Sequence, residues 1–250
     1  VTPLGWALGG ALLGAIIGSF LATVILRLPE GRSPLGGRSA CDGCGRVLGP
    51  LELVPLVSMV WQRGRCRTCG ARIDPIHAWT ELACAGIGGI AFWLLPPIEA
   101  LGWSVLCWCL LTLAILDWRH FWLPDLLTLP LACLGLTLAQ WVNDVTFADR
   151  LLGAAAGYLS LVAISLGYRL LRGRQGLGLG DAKLLGALGA WLGWHSLPFL
   201  LLIASLLGLS LVAIGFVRGR RIDATTRLPL GTFLCLAAIP AWLAGRALGL

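Results

Sequence analysis

Charge is the scarcest feature of this sequence. Lys, Arg, Asp and Glu together make 12% of the 250 residues, hydrophobic types make 58%, and the mean hydropathy is +0.86. Soluble domains carry about twice that share of charge, so water is not the solvent in which most of this chain folds. Polar residues alternating with apolar ones are missing too, which favours helices over a membrane β-barrel. In a bilayer, every backbone group of a helix finds a partner within its own segment. Internal repeats and low-complexity tracts are absent. No strand followed by a glycine-rich turn announces a dinucleotide-type fold.

The apolar runs are long. They predict helices at about 3–26, 78–96, 101–117, 124–142, 150–171, 181–196, 198–217 and 229–247, each near the ~20 residues a bilayer requires. The expected fold is therefore an all-α polytopic membrane bundle of about eight transmembrane helices. The first run has no Lys or Arg before Arg27 and is long enough to span, so it is expected to stay in the mature protein as a helix. The net charge of +7 would suggest nucleic acid on a soluble protein. Here it follows topology: with both termini outside, every Lys and Arg except Arg150 and Arg246 falls on the cytoplasmic side. The partner implied is the lipid bilayer, and nucleic acid is not expected.

One segment, residues 27–77, breaks the apolar pattern and holds four of the nine cysteines. Cys41-Asp-Gly-Cys44 and Cys66-Arg-Thr-Cys69 are Cys-x-x-Cys knuckles at the spacing of a four-thiolate zinc site. Disulfides or redox thiols are the competing readings, disfavoured by a reducing cytoplasm. Four thiolates leave no open position for water, so Zn2+ here would be structural, folding a loop with little core of its own. Cys84, Cys107, Cys109, Cys133 and Cys235 read as small buried hydrophobes.

Acidic residues beside membrane spans are the sharpest pointer to function, because a carboxylate at that depth is costly without a task. Glu30, Asp42, Glu52 and Asp74 fall in the inset and Glu99, Asp144 and Asp149 in loops, where solvated charge is the default. Asp117 ends the third run, Asp125 follows Pro124, and Asp181 follows Gly176-Leu-Gly-Leu-Gly180, all at one depth. Asp125 reads as a helix cap, and Asp181 could be one. Asp117 cannot, since a negative charge at a helix C-terminus opposes the macrodipole and calls for another interaction. Asp117 and Asp181 therefore read as a dyad whose titrations separate, as general acid–base hydrolysis requires. None of His77, His120 and His195 lies beside a convincing nucleophile, so Ser or Cys catalysis is disfavoured.

These residues resemble the type IV prepilin peptidases, bifunctional leader peptidases and N-methyltransferases. The likeness is carried by Gly18-Ser-Phe-Leu21, Arg27-Leu-Pro29, both knuckles, Leu53-Val-Pro-Leu-Val-Ser58, Arg63-Gly-Arg-Cys66, Asp117 with Leu123-Pro-Asp125, and Gly178-Leu-Gly-Asp181-Ala-Lys183. It departs where the family commonly has Asn and this chain has Ala22, and where an Arg-Tyr-Pro element is Ile76-His77-Ala78. The resemblance implies Asp117 and Asp181 as the catalytic pair and Asp125 as a motif residue. Gly178 and Gly180 are expected to let substrate backbone approach, and Lys183 to meet lipid phosphate or tune the dyad.

The resemblance further implies a multi-pass protein of the bacterial inner membrane that cuts the basic leader of a prepilin or pseudopilin after glycine. Methylation of the new N-terminus from S-adenosylmethionine would follow, with Glu52 and Glu81 near the amine. Residues 1–98 would then be the methylation-associated region and 99–250 the peptidase region. A peptidase without methyltransferase activity is the near alternative. An ion- or proton-coupled transporter would instead place carboxylates near the midplane of repeated halves.

Overall fold

The computed structural model describes residues 2–173, 178–219 and 227–248. Gly176 of the glycine-rich run, and Arg174, Arg220 and Arg221 of the basic count, lie outside the described residues. The described residues form helices and turns with no strand, only two isolated β-bridges, Ala40 to Val47 and Arg65 to Arg72. The chain divides into two compact units, Val1–Trp108 and Cys109–Leu250.

The first unit contains α1 (Pro3–Arg27), a short α2 (Val57–Trp61), α3 (Ile76–Leu94) and the first half of α4 (Pro97–His120). Thr2 caps α1 by accepting the Gly5 N–H at 3.2 Å. Gly10, Gly14 and Gly18, four residues apart, line one face of α1 against α3. A Cβ on Gly14 would overlap the Cys84 carbonyl, and one on Gly10 would sit 2.6 Å from the Gly88 oxygen. This is how helices associate in lipid, where apolar side chains gain little by leaving the solvent and close backbone approach supplies the contact.

The second unit is arranged about α7 (Leu179–Leu192), whose residues from Ala182 to Leu192 are nearly all buried. Helices α5 (Asp125–Thr137) and α6 (Phe147–Arg172) pack on it, and α9 (Leu230–Ala247) packs on both α7 and α8 (Leu197–Val217). Trp191 donates its indole N–H to the Leu131 carbonyl at 2.8 Å, tying α7 to α5.

Arg150, at the start of α6, is fully buried and touches no carboxylate among the described residues. Its guanidinium donates to the carbonyls of Ala139 (2.8 Å), Trp191 (3.1 Å), Val145 (3.1 Å), Asn143 (3.2 Å) and Ala190 (3.3 Å). The cation thus closes the C-terminal ends of α5 and α7, where orphaned carbonyls and the negative ends of two dipoles converge.

Among the described residues, five helical segments, containing α1, α4, α6, α8 and α9, are long and apolar enough to cross a membrane. With 13 and 14 residues, α5 and α7 rise only about 20 Å, short of a ~30 Å hydrocarbon core. Boundaries also differ from the sequence reading. Helix α4 continues past Asp117 to His120, and α7 stops at Leu192, where Gly193 turns the chain at φ 77°.

Candidate active site and metal centre

Asp117 occupies the last turn of α4 and is 5% exposed. Its Oδ2 accepts the Thr232 backbone N–H at 2.7 Å and lies 3.0 Å from the Thr232 hydroxyl, which also reaches the Ala114 carbonyl at 3.0 Å. Thr232 is the third residue of α9, whose first amides have no partner inside their own helix. The N-terminus of α9 therefore receives the Asp117 carboxylate, the interaction that its place at the end of α4 requires.

Asp181 is the third residue of α7, after the Gly178 N-cap. The amides of Gly178 and Gly231 face its carboxylate, which lies near enough to Asp117 for the two charges to interact. So Asp181 is more than a local cap: Gly231 borders both carboxylates. A Cβ at Gly231 would stand 3.1 Å from Asp117 Cγ and 2.8 Å from Leu123 Cδ1, leaving no room for a side chain.

The remaining expected residues fall differently. Gly180 packs against Leu123, since a Cβ there would meet the Leu123 Cβ at 3.0 Å, while among the described residues a Cβ at Gly178 would meet Asp181 Oδ2 at 3.5 Å and the Gly180 amide at 3.9 Å. Lys183 does not stand alone toward lipid phosphate. It grips Asp125 with contacts of 2.6 and 2.8 Å to the two carboxylate oxygens, joining the first turn of α5 to the second turn of α7. Asp125 accordingly makes no side-chain cap of its own helix. Gly231 and Thr232 escaped the sequence reading because neither titrates. The available signal was Pro229-Leu-Gly-Thr232 opening an apolar run, the form already seen at Gly178-Leu-Gly-Asp181.

In the first unit the four knuckle sulfurs lie within 4.8 Å of one another, with Cys41 and Cys69 Sγ 3.7 Å apart. A tetrahedral ion with ~2.3 Å bonds to sulfur spaces its ligands about 3.8 Å apart, so the four sulfurs fit one zinc-sized ion. The knuckles are built alike: Gly45 and Gly70, at φ 70° and 73°, donate to the Cys41 and Cys66 carbonyls. Backbone amides of Cys69 and Thr68 lower the Cys66 thiol to about 6, while burial and the neighbouring sulfurs push the Cys69 thiol up to about 11, so the first thiolate forms readily and the others wait for a cation.

Beside the knuckles a cavity of about 150 Å³ opens between α1, the inset and α3, with Ser19, Thr23, Met59, His77, Glu52 and Glu81 on its wall. Glu52 uses one oxygen on Arg46 (2.6 Å) and the other on the Gly49 amide (2.9 Å). The Arg46 guanidinium and that amide hold the Glu52 carboxyl below the usual range. Glu81, 5% exposed, accepts the Leu56 N–H at 2.8 Å. Leu56 has φ 62° at the centre of a three-residue turn closed by the Val57 amide on the Pro55 carbonyl, a strained conformation that Glu81 helps to hold.

Residues 104–213 match the type IV leader peptidase family and residues 12–95 match the bacterial peptidase A24 N-terminal domain. The prepilin leader peptidase/N-methyltransferase of Aeromonas hydrophila is 40% identical over 208 residues, covering 83% of this chain and 70% of its own. That of Pseudomonas aeruginosa is 36% identical over 266 residues, covering 97% and 90%. This chain belongs to the type IV leader peptidase family. It is an enzyme, a helical membrane peptidase, and the resemblance carried by its motifs holds over nearly its whole length. A Burkholderia pseudomallei relative of the same name is 42% identical over 198 residues, 79% of this chain and 64% of its own. No solved structure matches.

Proposed function

We propose that the chain removes the basic leader of type IV prepilins or secretion pseudopilins, cutting after glycine at the cytoplasmic face of the inner membrane, with Asp117 and Asp181 as the catalytic pair. The observation that carries the reading is the α9 N-terminus: Thr232 grips Asp117, and Gly231 lies between it and Asp181. Two carboxylates with interacting charges share a proton readily, because ionising the second beside the first is unfavourable. The ionised member takes a proton from water as it attacks the peptide carbonyl. The protonated member polarises that carbonyl and then passes its proton to the leaving amine. Gly178, with no side chain beside Asp181, lets an extended substrate backbone come close to that carboxylate.

The first unit would carry the second activity named for the relatives, methylation of the exposed N-terminus. S-adenosylmethionine supplies an electrophilic methyl group carried on a cationic sulfur. The buried Glu81 carboxylate on the cavity wall fits a cationic ligand or the substrate amine. Glu52, with both oxygens engaged, braces the Arg46–Gly49 segment and so shapes this wall. Zn2+ held by Cys41, Cys44, Cys66 and Cys69 would fix the inset on the cytoplasmic side, and the Lys and Arg bias of the sequence supports both chain termini on the external side.

The test is cleavage and methylation of a prepilin in liposomes. Asp117→Asn and Asp181→Asn should each abolish cleavage while the protein stays folded and zinc-loaded. Glu81→Gln should spare cleavage and lower the mass gain of 14 Da per methyl group on the product. Full cleavage by either Asn variant would remove that residue from the chemistry.

A further inference from the structure

The inset is not simply a soluble loop above the membrane. Glu81, whose carboxylate holds the Leu56 amide, lies five residues inside α3, about 7.5 Å from its start at Ile76. On α1, Ser19 and Thr23 share the cavity wall with Ser58, Met59 and Gln62, although Ser19 lies eight residues, about 12 Å, before the helix ends at Arg27. The segment from Leu51 to Trp61 therefore turns back alongside the apolar parts of α1 and α3, at the depth of a headgroup layer and below.

Its outward side has the composition of that depth. Leu51 (63% exposed), Val57 (57%), Val60 (78%) and Trp61 (60%) face away from the cavity, while Ser58, Met59 and Gln62 face into it. Arg63, Arg65 and Arg67 follow, all exposed, with the Arg67 guanidinium 4.5 Å over the Trp61 ring. The one carboxylate between 51 and 67, Glu52, is turned inward onto Arg46. An apolar ridge with a Trp at its edge and only cations beside it matches the boundary between acyl chains and anionic phosphates.

We infer that Leu51–Trp61 is a membrane-inserted wedge, seated in the headgroup and upper acyl layer, with Arg63, Arg65 and Arg67 on anionic lipid phosphates. The wedge closes one side of the cavity at the membrane surface. A ligand tethered in the bilayer then reaches the cavity by moving along the interface, without leaving it. This inference is independent of the catalytic assignment and fails or stands separately from it.

The experiment places p-benzoylphenylalanine at position 60, or at 68 on the exposed tip of the second knuckle, in the full zinc-loaded chain in phosphatidylglycerol-containing nanodiscs. After illumination, mass spectrometry should find about tenfold more phospholipid adduct at 60 than at 68. Replacing phosphatidylglycerol by phosphatidylcholine, or Arg63, Arg65 and Arg67 by Gln, should lower the yield at 60 several-fold. Crosslinks from 60 into the chain's own helices, or equal lipid yields at the two positions, would overturn the inference.

Discussion

Arg150 offers a demanding test of the fold, because a buried cation that meets no carboxylate among the described residues is held there by its hydrogen bonds. Replacement by Met preserves length and apolar volume but deletes every donor. Four carbonyls at the ends of α5 and α7, those of Ala139, Asn143, Ala190 and Trp191, then lose this donor. The Ala139 carbonyl keeps the Val142 and Asn143 amides and the Trp191 carbonyl keeps the Asn143 side-chain amide, so the cost of about 1–3 kcal/mol per unsatisfied acceptor falls on the Asn143 and Ala190 carbonyls. Against that sum stands the relief of no longer burying a charge, itself several kcal/mol. The two leave a net destabilisation of about 2 kcal/mol, smaller than for breaking a buried ion pair because no uncompensated charge remains. For a chain of this size, about 2–4 °C of melting temperature corresponds to each kcal/mol, so the midpoint followed by circular dichroism in detergent should fall by about 4–8 °C.

Arg150→Lys should fall between wild type and the Met variant. A single ammonium has three donors at one point and cannot span the two helix ends that the planar guanidinium bridges. The dyad lies at the opposite end of α7, so both variants should keep cleavage activity well below their midpoints and lose it early on warming. A Met variant melting within about 2 °C of wild type would refute the assignment of Arg150 as the pin of these helices.

Three further outcomes follow from the same geometry. Gly231→Ala should cost at least about a hundredfold in cleavage by displacing Asp117 or Leu123, whereas Gly178→Ala, 3.5 Å from Asp181 Oδ2, should still fold; a cleavage assay with circular dichroism checks both. Cys66→Ser should lower bound zinc measured by plasma mass spectrometry and expose residues 27–77 to protease; unchanged metal content would exclude the four-sulfur site. Glu52, lowered by Arg46 and the Gly49 amide, stabilises its segment above the unfolded carboxyl value of about 4.3 and loses that effect as pH falls through its lower folded value. Hydrogen exchange at residues 46–52 should therefore rise in acid more steeply in wild type than in Glu52→Gln, and parallel profiles would sink the argument.

Much of the scaffold was legible because membrane helices are announced by length and apolarity, which need no tertiary information. The knuckles were legible for a similar reason: their ligands are local in sequence. What was hidden depends on distant pairings. Lys183 meets Asp125 from 58 residues away, and nothing local says which acid it will find. Arg150 looked like an exception to a charge bias, yet it is held inside by carbonyls that composition cannot reveal. Gly231 and Thr232 contribute an amide, a hydroxyl and an absence of side chain, features that a search for titratable groups passes over. Helix ends shifted for local reasons such as the positive φ of Gly193.

The position of Asp117 shows how these hidden pairings bear on chemistry. On its own helix the carboxylate is misplaced, since the C-terminus of α4 already carries partial negative charge. Three other helices begin around it: α9 with the Thr232 amide on its Oδ2, α7 with Asp181 in the first turn, and α5 with Asp125 tied to α7 through Lys183. Helix N-termini present amide hydrogens and partial positive charge in fixed positions. A second negative charge, or an oxyanion growing on a substrate carbonyl, can then be met by dipoles that need no reorganisation. The opposing charge on α4 and the three converging N-termini belong to one arrangement, in which the fold itself places positive potential around the carboxylates.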